Sequence, residues 1–348
     1  MLHGAASVTM RTHMSRRVLF NIVLSFVLAV LFLSLAFHNV PLAALGAALE
    51  RFDLRWLVPA FAISFTLQVF RAWRWQLEIR PLERIAIGRL WVVTSVAYMA
   101  INLLPVRLGE FVRPWLLSRR SGVTFSNIVG NLVIEKTMDS IVIVIYILIG
   151  LLTTANLPAW VRRGAWFPAG GAVGLAVLVG LLWWKGEPFV DRWVVRWLPE
   201  RFGAGLKRVT RALLDGMRIL PDPWLLAAVF FVSLALWSLP ILSSHVIIRA
   251  FHFDVPFSAA LIVFIFIGFA TALPNAPAMI GPFQYACVLA LGLFGVDQTA
   301  ALAYGLVLNA IQLLSLVAQG LVALPLAGVG LADMRRAGRE LAAEPHRV

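Results

Sequence analysis

The chain has 348 residues, 61% of them hydrophobic and 14% charged, with a formal net charge of +13 and a mean hydropathy of +0.87. A soluble domain carries about 25% charged residues, so this composition excludes a water-soluble globule, and it excludes a disordered chain for the same reason. The positive charge sits in short stretches between apolar runs, the pattern of membrane-protein loops rather than of a nucleic-acid surface.

Residues 1–17 read as a basic N-terminal tail, followed by an apolar run at 18–37. A secretory signal has an apolar core of about 7–15 residues. This run is longer, so it predicts a retained first span. A second span is expected at 54–70. The next apolar region, 90–118, is interrupted at Asn102-Leu-Leu-Pro105-Val-Arg107-Leu-Gly109-Glu110. Pro and Gly break helices, and the freed backbone must line a cavity or be buried in protein. The interruption therefore predicts a re-entrant hairpin hinged at Pro105 and Gly109. A third span, 127–152, completes a first repeat at 18–160. The second repeat, 161–328, runs in the same order: span 168–184, cytoplasmic loop 185–224, span 225–243, hairpin 258–294 and span 300–327. The second hairpin hinges at Pro274, Pro277 and Gly281. Residues 329–348 form a C-terminal tail. Within 185–224, Val190, Trp193, Val194 and Trp197, then Leu206, Val209, Leu213, Met217 and Leu220, recur at helical spacing. They predict two amphipathic helices on the inner leaflet.

Charge orients the chain. Six spans and two hairpins place both termini in the cytoplasm. The basic stretches before residue 18, in 71–89, 107–120 and 185–224, and after 334 then lie inside. Arg51, Arg55, Arg162, Arg163 and Arg249 lie outside. Leu104-Pro105 parallels Leu273-Pro274, and Gly122-Val123 parallels Gly295-Val296. Three spans per half force the second half to be inverted. The expected fold is an all-α polytopic membrane protein of two inverted-topology repeats with broken helices, an arrangement used by transporters.

Three groups could carry chemistry. Arg107, Glu110 and Arg113 share a helical face beside the first break, with Asn102 ahead of them. Two guanidiniums and one carboxylate leave one positive charge, and the planar fork of Arg matches phosphate oxygens. The alternative is an ion-pair row that only anchors the hairpin. Asn131, Glu135 and Asp139 recur every four residues within span 127–152, with Lys136 beside them. Their expected partners are Arg107 and Arg113; the alternative is a buried, fully paired structural network, with Lys136 its most purely structural member. Arg71, Trp73, Arg74 and Trp75, at the inner end of the second span, read by position as interfacial anchors. In the second half, Asn275, Gln284, Asn309 and Gln312 stand where the first half has charges, with helix capping and interhelical hydrogen bonds as the plainer roles. Six His without ligand spacing and the single cysteine, Cys287, predict no metal, no disulfide and no cofactor. No nucleophile motif and no phosphate loop occurs.

At these residues the chain resembles the lysylphosphatidylglycerol-synthase transmembrane-region family of flippase-like proteins. The resemblance rests on Arg74-Trp75, Asn102…Pro105…Arg107-Leu-Gly109-Glu110-Phe-Val-Arg113, Glu135-Lys136…Asp139 and Pro274…Pro277…Gly281-Pro-Phe. Gln284 stands where the family pattern has an acidic residue. The resemblance implies movement of a lipid between leaflets and adds Arg74 to the substrate-binding residues. It implies a lipid partner: a phospholipid, a polyprenyl-linked sugar or a hopanoid-type lipid. Lipid-synthesis enzymes are further expected partners. The stretch after the last span is too short for the soluble transferase domain of the synthases, so no enzyme activity is expected. The reading is a lipid flippase of the bacterial inner membrane. Its alternatives are a membrane enzyme acting on a lipid-linked phosphate and a non-catalytic scaffold of a lipid-synthesis complex.

Overall fold

A computed structural model of the chain describes residues 16–103, 109–154, 157–193, 211, 214–217, 221–271 and 277–328. Among them there is no strand. The helices are α1 (Arg16–Phe37), α2 (Leu42–Glu50), α3 (Leu57–Ile79), α4 (Ile87–Leu103), α5 (Gly109–Ser118), α6 (Phe125–Thr153), α7 (Ala159–Gly164), α8 (Trp166–Trp193), α9 (Pro223–Ala250), α10 (Ser258–Thr271), α11 (Pro282–Gly292) and α12 (Gln298–Leu326), with 3-10 turns at Leu54–Trp56 and Pro277–Met279.

Short polar residues start the long helices, because a helix leaves its first backbone N–H groups unpaired. Thr124 Oγ1 accepts from Asn127 N at 3.3 Å. Asp222 caps α9 through Trp224 N and Leu225 N, with Pro223 in the first turn. Asp297 caps α12 through Thr299 N at 2.9 Å. Asn39, at φ 58°, ends α1, and α2 leaves at 80° to it.

Three stretches are long and apolar enough to cross a bilayer: Ala159–Gly186, Pro223–Ala250 and Gln298–Leu326. A fourth follows if Val23–Phe37 and Leu42–Glu50 make one bent span. Their outer faces expose Phe26, Val30, Val177, Phe231 and Val322, which suits lipid as the solvent. The chain is therefore a multi-pass membrane protein. Six full spans are not reached by length and apolarity alone. The two remaining long helices are α3, of 23 residues, and α6, of 29. Both carry buried charge.

α3 packs along α9, and α4 along α12; α4 packs on α5, and α10 on α11. One end of the bundle is tied where Gly122 N donates to Glu83 Oε2 at 2.8 Å. The other end is tied where Gln298 Nε2 donates to His38 O at 3.0 Å and Asp53 N to Ala250 O at 3.1 Å. The Phe253 ring lies 6.2 Å from Tyr304 at this second end.

The expected boundaries hold within two or three residues for α1, α6 and α12, and for the outer limits of both broken regions. α3 continues to Ile79 rather than stopping at 70, because the charges after residue 70 are paired and buried instead of facing headgroups. α9 runs to Ala250, past 243, and α8 reaches Trp193 through a non-helical Gly186. The helices α2 and α7 were not expected. Part of the 185–224 loop packs on protein rather than lying on a leaflet. A Cβ on Gly216 would come within 2.5 Å of Asn127 O on α6, and Met217 is buried. Residues 194–210, 212–213 and 218–220 of that loop lie outside the described residues.

Candidate functional site: a buried charge network at the first broken helix

α3 presents Gln68, Arg71, Arg74, Trp75 and Glu78 at helical spacing. α6 presents Asn131, Glu135 and Asp139. α5 contributes Arg113, and α9 contributes Ser233 and Trp237, four residues apart. These four helices enclose one network. Arg74 is its centre. Its Nη2 lies 2.9 Å from Glu135 Oε1, its Nη1 pairs with Asp139 and its Nε is 3.5 Å from Glu78 Oε1. Arg113 Nη1 donates to both oxygens of Glu135, at 2.9 and 2.7 Å. The Arg113 guanidinium also lies 3.9 Å from the centroid of the Trp75 ring. Trp237 Nε1 donates to Asp139 Oδ1 at 2.7 Å, and Asn131 Nδ2 donates to the main-chain oxygen of Glu78 at 3.0 Å.

The network is dry. Relative exposure is 2% for Arg74, 1% for Glu78 and Glu135, 5% for Arg113 and 7% for Asp139. A charge at the centre of a membrane helix costs about 2.5–3.5 kcal/mol on insertion scales, so five such groups persist only by pairing. The pairing is uneven. Both carboxyl oxygens of Glu78, Oδ1 of Asn131 and Nε of both Arg74 and Arg113 have no hydrogen-bond partner among the described residues. Arg74 faces three carboxylates, two through its Nη atoms at close range and Glu78 through Nε as a charge contact without a hydrogen bond. Arg113 is held by one carboxylate and one ring.

Toward the first break, Arg71 has neutral partners. Its Nη1 donates to Gln68 Oε1 at 3.0 Å, and its guanidinium lies 3.9 Å from the Tyr98 ring centroid. Asn102 Nδ2 donates to Tyr98 O at 2.9 Å. A line of polar groups thus runs from the network to the end of α4.

The expected stripe on α6 and its pairing with Arg113 are present. The anchor reading of Arg74 is corrected: it is buried at the centre of the network, and Trp75 is buried beneath Arg113. Arg71 is half-buried, not headgroup-facing. Pro105, Arg107, Pro274 and Asn275 lie outside the described residues, as does the side chain of Glu110; Gly109 opens α5. Lys136 is exposed. In the second half, one cap and one bond between elements are found. Gln284 Oε1 accepts from Gly281 N at 2.8 Å. Asn309 Nδ2 donates to Ala278 O at 3.1 Å, beside Pro277, and Gln312 is half-buried on α12. Sequence reasoning missed Glu78, Gln68, Tyr98, Ser233 and Trp237. The signal for Glu78 was its place four residues after Arg74.

The arrangement suits exchange of anionic partners on fixed guanidiniums. No nucleophile–base pair accompanies it among these residues, and no cluster of His, Cys, Asp or Glu suited to a metal occurs among the described residues.

The family described as the lysylphosphatidylglycerol synthase TM region matches residues 22–320. A UPF0104 membrane protein of Methanothermobacter thermautotrophicus is 20% identical over 306 residues, covering 82% of this chain and 89% of the relative.

Proposed function

We propose a function from the premise that the match establishes: the chain belongs to the lysylphosphatidylglycerol synthase TM-region family. The proposed activity is translocation of a phosphate-bearing or glycosylated lipid between the leaflets of an inner membrane. The chain itself catalyses no bond change. The observation that supports this most is the network of Arg74, Arg113, Glu78, Glu135 and Asp139, buried where the second helix of a broken pair meets α6.

The headgroup phosphate competes with Glu135 for Arg113, and Arg74 stays fixed as the counter-charge of the carboxylates. Arg107 and Glu110, next to the break in sequence, are proposed to meet the headgroup as well, and Arg71 and Tyr98 continue the polar line from the network. Counting α1, α3, α6, α8, α9 and α12 as spans gives six. Two inverted repeats are supported by order and length. α4 and α5 have 17 and 10 residues, and α10 and α11 have 14 and 11. α6 and α12 both have 29. The bond between Gly122 and Glu83 closes the first pair at one end. The contact of Phe253 with Tyr304 closes the second at the other. The charge bias of the loops supports a cytoplasmic side for the first of these ends and for both termini.

The test is leaflet exchange of headgroup-labelled lipids in proteoliposomes. Wild type should exchange label faster than empty vesicles, and Arg113→Ala should lower that rate by about tenfold or more, as loss of a charge-assisted contact implies. Unchanged exchange in folded Arg113→Ala and Arg107→Ala proteins would remove these residues from the path. No exchange of any lipid class by wild type, with and without a proton gradient, would overturn translocation.

A further inference from the structure

At the end of α3 the chain turns through residues 80–86 into α4, and this turn is firmly built. Gln76 Nε2 donates to Ile85 O at 2.8 Å, and Leu82 N and Glu83 N both donate to Ile79 O. The turn projects Arg80 and Arg84, both exposed. A cavity of about 500 Å³ opens between them and the start of α9, lined also by Leu77, Pro81, Asp222, Trp224, Leu225 and Ala228. A second cavity, of about 280 Å³, is lined by the same two arginines with Gln76, Leu77 and Ile85.

Two acids lie near this pair, and neither forms an ion pair with it, so two guanidiniums stand against the one carboxylate that lines the cavity, Asp222. Glu83 accepts from Gly122 N at 2.8 Å, and Asp222 is occupied in capping α9. Neither arginine has an ion-pair partner among the described residues. Two guanidiniums therefore share one cavity. One wall is cationic, and the other is the start of a membrane-spanning helix, apolar apart from its capping Asp222, so the lining keeps one net positive charge. Trp224, 85% exposed, stands at its rim, a position Trp favours at the bilayer interface. The volume falls in the range of about 300–1,000 Å³ usual for small-ligand sites.

We propose that this cavity is a binding site for a phosphate-bearing anion, the headgroup of an anionic lipid seated at the membrane interface. Arg80 and Arg84 grip the phosphate oxygens, Trp224 packs on the glycerol and first acyl carbons, and Leu77, Leu225 and Ala228 form the apolar wall. A basic pocket between spanning helices is the form in which membrane proteins hold such headgroups. The site is separate from the buried network, whose arginines are already paired. The inference rests on the membrane reading of the chain and not on translocation.

The test measures binding, so it stands whether or not the protein moves lipid. Full-length protein in detergent is titrated with phosphatidylglycerol, phosphatidylcholine and inorganic phosphate, and bound ligand is counted by native mass spectrometry. Wild type should retain phosphatidylglycerol over phosphatidylcholine. The Arg80→Ala, Arg84→Ala double variant should lower phosphatidylglycerol retention by about tenfold or more, the loss of a charge-assisted hydrogen bond. The Arg162→Ala, Arg163→Ala double variant, which changes exposed basic residues elsewhere, should not. Trp224→Ala should weaken lipid retention and leave inorganic phosphate unaffected. Binding of inorganic phosphate alone, with the same arginine dependence, would support the anion site and make free phosphate its source. Equal retention of all ligands by wild type and the Arg80, Arg84 variant would overturn the site. Leaflet exchange measured on the same variants reports separately on translocation.

Discussion

Arg74 and Arg113 carry the same charge but stand in different bonds. Arg74 directs Nη2 to Glu135, Nη1 to Asp139 and Nε toward Glu78. Removing it strands three carboxylates in a dry interior with Arg113 alone. Breaking a buried pair from one side costs about 3–5 kcal/mol. Arg74→Ala should therefore lower the thermal unfolding temperature in detergent strongly, as followed by tryptophan fluorescence. Arg74→Lys should recover little of it, since a point charge cannot reach three acceptors as a planar fork does. Glu78 is the contrasting case. Its carboxyl oxygens accept no hydrogen bond from the described residues, and its main-chain oxygen, which Asn131 holds, is unaffected by substitution. Glu78→Gln should leave stability within about 1 kcal/mol of wild type. A loss as large as that of Arg74→Ala would mean that Glu78 is an equal member of the network.

The same contrast recurs between elements. The first broken pair, α4–α5, delivers a guanidinium to the interior, whereas the second, α10–α11, is held by backbone capping. Gly281 has φ +99°, and a Cβ there would meet Ala29 O of α1 at 2.4 Å. Gly281→Ala thus combines a strained conformation, about 1–3 kcal/mol, with overpacking, about 1–3 kcal/mol. The expected loss is about 2–6 kcal/mol, read from the same unfolding curves. Gly268→Ala on α10, where a Cβ meets nothing within 4 Å, should be neutral or slightly stabilising. Equal losses in the two variants would show that the α1–α11 contact does not set the break. How far the sequence reveals these elements depends on the range of the forces. α6 and α12 are long apolar runs, and hydropathy locates them within two residues. The second half of α3 was hidden because Arg71, Arg74 and Glu78 look like a headgroup edge until Asp139, 65 residues away, is known to receive Arg74. The pairing of Arg113 with Glu135 was legible, because a hairpin followed at once by a span brings their faces together. The helices α2 and α7, with 9 and 6 residues, are too short to show a period.

For the whole molecule, the question is on which side the two broken pairs open. The bond from Gly122 N to Glu83 Oε2 ties the residues before α4 to those after α5, as a hairpin that returns to its starting side requires. Gly328, just beyond α12, lies at the same end, where its Cβ would come within 3.2 Å of Arg120 Nη2. Arg162 and Arg163 follow α6, one full span away. Cysteine labelling can read this directly. The single native cysteine, Cys287, is buried and can be replaced by Ala. Single cysteines at the exposed positions Arg84, Arg119 and Arg162 then report their side to a membrane-impermeant maleimide. A hairpin predicts that Arg84→Cys and Arg119→Cys react only after permeabilisation, and that Arg162→Cys reacts in intact cells. If α4 and α5 together cross the bilayer, Arg119→Cys reacts on the side opposite Arg84→Cys. The basic stretch 107–120 would then face outward, against the charge bias of the other loops. With an even number of spans in the first half, the second half would repeat it in parallel. The network of Arg74, Arg113 and Glu135 would remain, but its broken helix would open to the opposite leaflet, and a lipid phosphate would reach it from the other side.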